Sequence, residues 1–323
     1  MSETSSETAG TSGGMPAPTS TSAPRAPSPG GWKALFVGSR GWRPGWQLLL
    51  FVVLYSILAA AGTLTYLRFD PGIAKMAWTP RVVITQEVLS IAALAIALGV
   101  MSRLERRPIA AYGLAGPRPP GKLFWEGALW GALSIALVML LITAAGGYSV
   151  SGVALGGAGL AVTAALWGLA CLLIALNEEV LFRGYGLFTL ARGLGFWGAA
   201  VLLSLVFGAL HYFLKPMESW MDGLSVTLIG LFFCLSVRRT GSIWLAMGWH
   251  FTYNYGSFFV FGGPNTGNDG QPMPGHLLHS LFHGPQWLTG GPAGPEASAF
   301  IFVVIALLFA ALHLRYPRPL STL

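Results

Sequence analysis

Eight long apolar segments constrain this chain more than any other feature. A helix that crosses the hydrocarbon core of a bilayer needs about 20 largely apolar residues. Segments of this kind occupy 46–67, 82–101, 123–144, 158–191, 195–214, 223–237, 241–261 and 298–315. The sequence therefore predicts an all-α fold, a polytopic membrane helical bundle of about eight transmembrane helices.

Composition favours a membrane protein over a soluble one. Hydrophobic residues make up 54% of the 323 residues and charged residues only 10%, whereas a soluble domain carries about 25% charged residues. The formal net charge of +7 comes without the basic cluster that nucleic-acid binding needs, so the expected partner is the lipid bilayer and not a nucleic acid. Cys171 and Cys234 each lie in an apolar stretch and are predicted to be buried thiols.

Basic residues are distributed unevenly among the loops between these segments. Cytoplasmic loops of membrane proteins are enriched in lysine and arginine, so this distribution orients the chain. With the N-terminus in the cytoplasm, fifteen basic residues fall on the cytoplasmic side, namely Arg25, Lys33, Arg40, Arg43, Arg103, Arg106, Arg107, Arg118, Lys122, Arg183, Arg192, Arg238, Arg239, Arg315 and Arg318. Four fall on the outer side, namely Arg68, Lys75, Arg81 and Lys215. The sequence thus predicts a multi-pass protein of the plasma (inner) membrane with both termini in the cytoplasm.

Two regions lack the apolar pattern. Residues 1–30 are rich in Ser, Thr, Pro, Ala and Gly, and they lack the parts of a cleavable signal peptide, so we expect a disordered tail followed by a membrane domain over 31–323. The loop 262–297 is rich in Gly and Pro and is predicted to be irregular. Its three histidines, His276, His279 and His283, are expected on an amphipathic helix at the membrane surface.

A few strongly polar side chains fall deep inside the apolar segments. Such residues are costly in a bilayer and usually serve a function. They are Glu87, Glu178, Glu179, Arg183, His211, His250 and Asn254. Glu87 is left open as a residue of helix packing or of a cavity, and the others form the candidate site.

Spacing places several of these side chains at a similar depth. Glu178 and His211 are equally far from a glycine-marked turn at 193–195, about 24 Å at 1.5 Å per residue, so in an antiparallel hairpin they can face each other. His250 and Asn254 are four residues apart and share one helix face. We therefore expect the four side chains to converge near the middle of the membrane.

The two adjacent glutamates differ in their helical neighbours. Glu179 and Arg183 are spaced i, i+4 with the acid first, which is the favourable order for a salt bridge. Glu178 is rotated by about 100° from Glu179 and has no basic residue one turn ahead. We predict that Glu179 and Arg183 form a supporting ion pair and that Glu178 stays free for general-base catalysis.

This set of side chains suits hydrolysis in one of two ways. Glu178 can activate a water while Asn254 and a histidine donate to the developing oxyanion. Alternatively, His211, His250 and Glu178 could ligate Zn²⁺ and leave a position open for water. The apolar segments contain neither H-E-x-x-H nor G-x-S-x-G, so the common zinc-protease helix and the serine nucleophile elbow are not indicated.

Three ordered motifs resemble one known family. "EEVLFR" at 178–183 matches E-E-x-x-x-R, "FGALH" at 207–211 matches F-x-x-x-H, and "HFTYN" at 250–254 matches H-x-x-x-N. On successive apolar helices they resemble the CPBP family of CAAX prenyl endopeptidases and bacteriocin-processing enzymes, also called the Abi family, and in particular its bacterial members. The resemblance covers about 123–261, which would be the catalytic core.

The resemblance implies an intramembrane endopeptidase that cuts a membrane-associated or CAAX-like protein or peptide. It assigns water activation to Glu178. His211, His250 and Asn254 would complete the catalytic site, and Glu179 and Arg183 would support it. The family is commonly called a metalloprotease, and a metal-free glutamate mechanism is also argued, so a zinc cofactor stays open.

Two other classes of protein could use the same residues. A polar network can simply hold helices together, as in a proteolytically inactive immunity or scaffold protein of the same fold. A transporter would be favoured by inverted repeats or by broken helices in matching halves, and neither is evident in the sequence.

Overall fold

A computed structural model of the protein describes residues 1, 31, 33–38, 41–70, 72 and 78–320. Nearly all of the predicted disordered tail, 1–30, lies outside these residues. The chain divides into two units, residues 1–43 and 44–323. In the first unit, a short helix over Lys33–Phe36 is followed by an antiparallel pair of two-residue strands, β1 (Val37–Gly38) and β2 (Gly41–Trp42).

The described part of the second unit is built mainly from eight helices of 12 to 28 residues. They are α1 (Pro44–Phe69), α2 (Pro80–Glu105), α3 (Pro120–Ala144), α4 (Ala158–Glu179), α5 (Leu187–Leu214), α6 (Trp220–Thr240), α7 (Trp244–Tyr255) and α8 (Phe300–Arg315). Each overlaps one of the eight apolar segments, which confirms the predicted helical membrane bundle.

Five stretches among the described residues are long and apolar enough to cross a membrane. They are Pro44–Phe69, Pro80–Glu105, Pro120–Ala144, Ala158–Leu214 and Trp220–Thr240. The fourth, with 57 residues, contains both the fourth and the fifth predicted segments. α8 is a shorter apolar helix, and α7 has only 12 residues. The cytoplasmic location of the termini stays a prediction.

Helix ends follow from the local sequence. Thr79 caps the N-terminus of α2, because its hydroxyl accepts a hydrogen bond from the Val82 N–H at 3.4 Å. Ser219 caps α6 in the same way and accepts from the Asp222 N–H at 3.2 Å. Gly241, with φ +79°, ends α6 in a left-handed conformation that glycine adopts without steric cost.

The long stretch Ala158–Leu214 is not one simple helical hairpin. A π-helix over Val180–Gly186 follows α4 and contains most of the E-E-x-x-x-R motif. Gly195, with φ +68° and ψ 169°, then breaks the helix at the predicted turn. The arms before and after this break separate, since α4 packs mainly on α2 and α7 whereas α5 packs mainly on α6.

The closest helix crossing joins α3 and α7. A Cβ added to Gly127 would lie 2.1 Å from the carbonyl oxygen of Leu245, and one added to Gly248 would lie 2.0 Å from that of Phe124. Only glycine permits this approach of two backbones, as in small-residue packing of membrane helices. The crossing fixes the position of α7, which carries His250.

The loop 262–297 contains strands rather than the predicted surface helix. β3 (Tyr148–Val153) pairs antiparallel with β6 (Leu278–Phe282), and β4 (Pro264–Asn265) pairs with β5 (Gln271–Pro272). The helix prediction for the loop histidines is therefore wrong, because His279 lies on β6 opposite Gly152. Along β6, exposed and partly buried side chains alternate with the period of two that a strand gives.

Candidate active site

All four predicted catalytic residues line one cavity. It encloses about 910 Å³ of empty space, including its open mouth, and α2, α4, α5, α6 and α7 contribute to its walls. The four residues are Glu178, His211, His250 and Asn254. Four positions spread over 77 residues of sequence are thus brought to one place.

The adjacent glutamates have different surroundings. The Glu179 side chain is fully buried, whereas 28% of the Glu178 side chain is exposed and faces the cavity. Arg183 Nη1 lies 3.2 Å from Glu179 Oε1, which confirms the predicted i, i+4 ion pair. Of the two carboxylates, Glu178 is therefore the one that a molecule in the cavity can reach.

His250 lies between the two glutamates. Its Nδ1 is 3.0 Å from Glu179 Oε1, and its Nε2 is 3.8 Å from Glu178 Oε2. Because Arg183 holds Glu179 as an acceptor, we assign the proton of this hydrogen bond to Nδ1. The Phe233 ring stacks on the imidazole with centroids 5.8 Å apart. The contacts of Nδ1 and the stacking on Phe233 together fix the ring so that Nε2 points toward Glu178.

His211 reaches the same cavity by a different route. Its Nδ1 is 2.9 Å from the carbonyl oxygen of Phe207, one turn earlier in α5, and the two rings pack with centroids 4.6 Å apart. The imidazole paired with Glu178 within 4.0 Å is that of His250. The predicted pairing of Glu178 with His211 across a hairpin is therefore not what the structure shows: both residues line the cavity, but α4 and α5 separate and His250 lies beside Glu178 instead.

Asn254 follows His250 by one turn of α7 and borders the cavity. Within the described residues its side-chain amide makes no hydrogen bond to the protein. The amide is thus available to a molecule that enters the cavity.

The buried Arg183 has aromatic neighbours on two helices. Its guanidinium carbon lies 4.3 Å from the ring centroid of Phe207 and 5.0 Å from that of Phe233. Both rings also line the cavity. Among the described residues, Nε and Nη2 of Arg183 have no hydrogen-bond partner, so the aromatic faces and Glu179 stabilise this charge. The ion pair of Arg183 with Glu179 therefore holds two cavity-lining rings, Phe207 and Phe233, in place as well as His250.

From the sequence, Glu87 could be a residue of helix packing or of a cavity, and the structure places it on the cavity wall. Glu87 Oε2 accepts a hydrogen bond from Asn177 Nδ2 at 3.0 Å, and the same amide approaches the Tyr55 hydroxyl at 3.4 Å. Asn177 was not singled out, although it directly precedes Glu178. A polar residue beside a predicted catalytic one in an apolar segment was the signal that could have found it.

Residues outside the eight helices also line the cavity, and no periodicity in the sequence predicted them. They are Trp78, Asn265 and Glu296, together with Lys215 just after α5. Burial raises the pKa of the Glu296 carboxyl to about 7, while the nearby Lys215 acts in the opposite direction.

The predicted zinc alternative requires several ligands close together. Among the described residues, no group of three or more His, Cys, Asp or Glu side chains is placed to hold a metal ion. The residues of the predicted set, His211, His250 and Glu178, share the cavity but are not gathered as ligands. Cys171 and Cys234 are buried free thiols, as predicted.

A family model described as type II CAAX prenyl endopeptidase Rce1-like matches residues 160–256. No curated protein and no solved structure gives a match. The matched segment runs from the first turn of α4 to just past α7 and contains all six residues of the candidate site, namely Glu178, Glu179, Arg183, His211, His250 and Asn254. This agrees with the resemblance to the CPBP family. Residues 160–256 of this multi-pass helical membrane protein are therefore similar to the Rce1-like type II CAAX prenyl endopeptidases.

Proposed function

We propose that this protein is an intramembrane endopeptidase in which Glu178 activates the attacking water. One observation carries the proposal: Glu178 is the exposed member of the glutamate pair and lies 3.8 Å from His250 Nε2 in the cavity. The buried Glu179 holds the opposite side of the same imidazole. This arrangement suits a hydrolytic site, because Glu178 is free to exchange protons with a bound molecule while Glu179 holds His250 in place.

The reaction is the hydrolysis of a peptide bond. Glu178 takes one proton from water as the water oxygen attacks the carbonyl carbon, which gives a tetrahedral intermediate. Glu178 then returns the proton to the leaving nitrogen while the C–N bond breaks. The products are a new carboxylic acid, which releases its proton to solvent, and a new amine, and the carboxylate of Glu178 is regenerated.

The other cavity residues have complementary roles. The Asn254 amide, which has no partner within the described residues, is suited to donate a hydrogen bond to the oxyanion. His211 donates Nδ1–H to the Phe207 carbonyl oxygen, so in its neutral form Nε2 is an acceptor that can orient the attacking water. This refines the role expected from sequence, in which a histidine donated to the oxyanion.

Glu179 and Arg183 act as positioning residues in this proposal. Neither borders the cavity, and both are essentially unexposed. Through Glu179 Oε1 they fix the ring of His250, and a buried carboxylate next to an imidazole sets the orientation and the tautomer of that imidazole.

The proposed substrate is an extended segment of a membrane-associated or CAAX-like protein or peptide. The Rce1-like domain supports a protease of the CAAX type in general. The cavity lies among helices that are apolar enough to cross a membrane, so the segment would be cut within or beside the bilayer.

The test is a comparison of membranes that contain the wild-type protein with membranes that contain Glu178→Gln. Peptides that end at new cleavage sites should be present with the wild type and absent with the variant. Glu126→Gln is a matched control, because Glu126 pairs with Arg315 away from the cavity. Unchanged cleavage in Glu178→Gln would exclude Glu178 as the base. Loss of protein accumulation in that variant would instead favour a polar network that only joins helices.

A further inference from the structure

The cavity extends from the buried ion pair toward one end of the helical bundle. On α6, its lining residues run from Ser225 to Phe233, which is about 20 Å from the first residue of the helix, Trp220, at 1.5 Å per residue. On α5, the lining residues are in the last two turns, with Lys215 just beyond. The loop residues of the cavity all come from this same end of the bundle. We call it the open end.

Apolar packing fills the bundle beyond the ion pair. On this side of Arg183, the buried side chains of Tyr185, Cys234, Val237 and Met247 belong to one hydrophobic cluster. The hydroxyl of Tyr185 donates to Glu105 Oε1 at 2.5 Å and closes the cluster toward the end of α2. The cavity is thus blocked in this direction. We call this the closed end.

Several contacts gather the loops of the closed end. The Ile243 N–H donates to the Gly113 carbonyl oxygen at 3.0 Å and joins the α6–α7 turn to the α2–α3 loop. The Leu320 N–H donates to the Arg238 carbonyl oxygen at 3.0 Å and brings the C-terminal segment to the same place. Arg192, near the break at Gly195, pairs with Glu105 at 2.9 Å.

Charge separates the two ends. In the second unit, the described basic residues near the closed end are Arg103, Arg106, Arg107, Arg118, Lys122, Arg192, Arg238, Arg239, Arg315 and Arg318. Those near the open end are Arg68, Arg81 and Lys215. The open end also has more acidic residues, namely Asp70, Glu218, Asp222, Asp269 and Glu296. Basic residues near helix ends stay in the cytoplasm during insertion.

We infer that the candidate active site opens on the non-cytoplasmic side of the membrane. The closed, arginine-rich end is the cytoplasmic one by the positive-inside rule, and the cavity extends toward the opposite end, where loop residues and Lys215 line it. The consequence for the substrate class rests on the proposed function. The substrate is a segment of an exported or membrane-spanning protein that is reached from outside, and not a CAAX tail in the cytoplasm.

Cysteine labelling in intact cells tests the sidedness without any assumption about catalysis. The native thiols, Cys171 and Cys234, are both fully buried, so the wild-type protein provides a low background. Three single replacements report on three places: Gln271→Cys on β5 at the open end, Lys215→Cys in the cavity wall, and Ala115→Cys in the α2–α3 loop at the closed end. A membrane-impermeant maleimide is added before and after permeabilisation, and accumulation of each variant is checked.

We expect Gln271→Cys and Lys215→Cys to react in intact cells and Ala115→Cys to react only after permeabilisation. The reverse pattern, or equal reaction of all three in intact cells, would overturn the inference. Reaction of Gln271→Cys without Lys215→Cys would also overturn it, because the cavity would then not open on that side. Gln271 and Ala115 are exposed, so those two replacements should not disturb folding.

The substrate consequence has a separate readout. In the comparison of wild-type and Glu178→Gln membranes, new cleavage sites should lie in outer or membrane-spanning segments of the cut proteins. Cleavage sites confined to cytoplasmic segments would refute the sidedness and leave the peptidase proposal standing. Absence of any cleavage would refute the peptidase proposal, while the labelling pattern would still decide the sidedness.

Discussion

Replacing each of the two adjacent glutamates by glutamine should separate stability from catalysis. Glu179→Gln keeps the shape of the side chain but removes the negative charge beside Arg183, which is only 1% exposed. Removing one partner of a buried ion pair costs about 3–5 kcal/mol, because the remaining charge is left uncompensated. The aromatic faces of Phe207 and Phe233 stay in place and reduce this cost, so we expect about 3 kcal/mol.

Glu178→Gln should behave differently. Its carboxylate is 28% exposed, and its ion-pair contact is the 3.8 Å approach to His250. Partly exposed pairs of this kind contribute about 0–1 kcal/mol. The free energy of unfolding should therefore change by less than about 1 kcal/mol, while peptide cleavage is lost.

The assay is unfolding of the purified proteins in mixed micelles with increasing dodecyl sulfate, followed by the reactivity of native thiols. Cys171 and Cys234 are fully buried and should react only when the helices separate. The double variant Glu179→Gln with Arg183→Met should regain part of the lost stability, since no buried charge then remains unpaired. Equal destabilisation by Glu178→Gln and Glu179→Gln, or no effect of Glu179→Gln, would refute the assigned roles.

Three further predictions test the surroundings of the site. Gly248→Ala should destabilise the protein by about 1–3 kcal/mol and reduce cleavage, because the added Cβ would lie 2.0 Å from the Phe124 carbonyl oxygen. The control Gly121→Ala should be neutral in the same unfolding assay, because its added Cβ would have no neighbouring atom within 4 Å. Cleavage should survive chelation, and metal analysis of the active protein should find no stoichiometric metal, because the described residues hold no three-ligand group; activity restored only by added Zn²⁺ would contradict this. Burial raises the pKa of Glu296 from 4.5 to about 7, so the folded state keeps a proton that the unfolded state releases, and stability should fall as pH rises from about 4.5 to about 7. Glu296→Gln should flatten that dependence in thermal unfolding measured across this range, and an unchanged slope would assign it to another group.

Helical architecture was predictable because the membrane imposes one requirement on every spanning segment. Apolar length alone located the eight helices, and the break at Gly195 followed from glycine in a turn. The local ion pair of Glu179 with Arg183 was predictable as well, since i, i+4 spacing depends only on helix geometry.

Contacts between helices were beyond the reach of spacing. The sequence gives a depth for Glu178 and His211, but the partner of Glu178 depends on which helices are neighbours. Here α7 lies against α4 because glycines on α3 and α7 let those two backbones meet, and this brings His250 to Glu178. The cavity residues Asn265 and Glu296 lie in the segment 262–297, on a two-residue strand and a three-residue helical turn that are too short to show a periodicity in the sequence.

The π-helix over Val180–Gly186 joins α4 to the start of α5 and sets the rotation of one helix relative to the other about their common axis. Ile174 and Glu178, before it, line the cavity, while Tyr185 and Arg192, within and after it, bind Glu105 and Gln47. A π turn contains one residue more than an α turn, so deleting a single residue here would rotate the second helix by about 100° against the first. Glu178 could then not face the cavity while Tyr185 and Arg192 keep their contacts with Glu105 and Gln47. The length of this segment is therefore as strict a requirement as the identity of Glu178, and it would be invisible in a comparison of residue types alone.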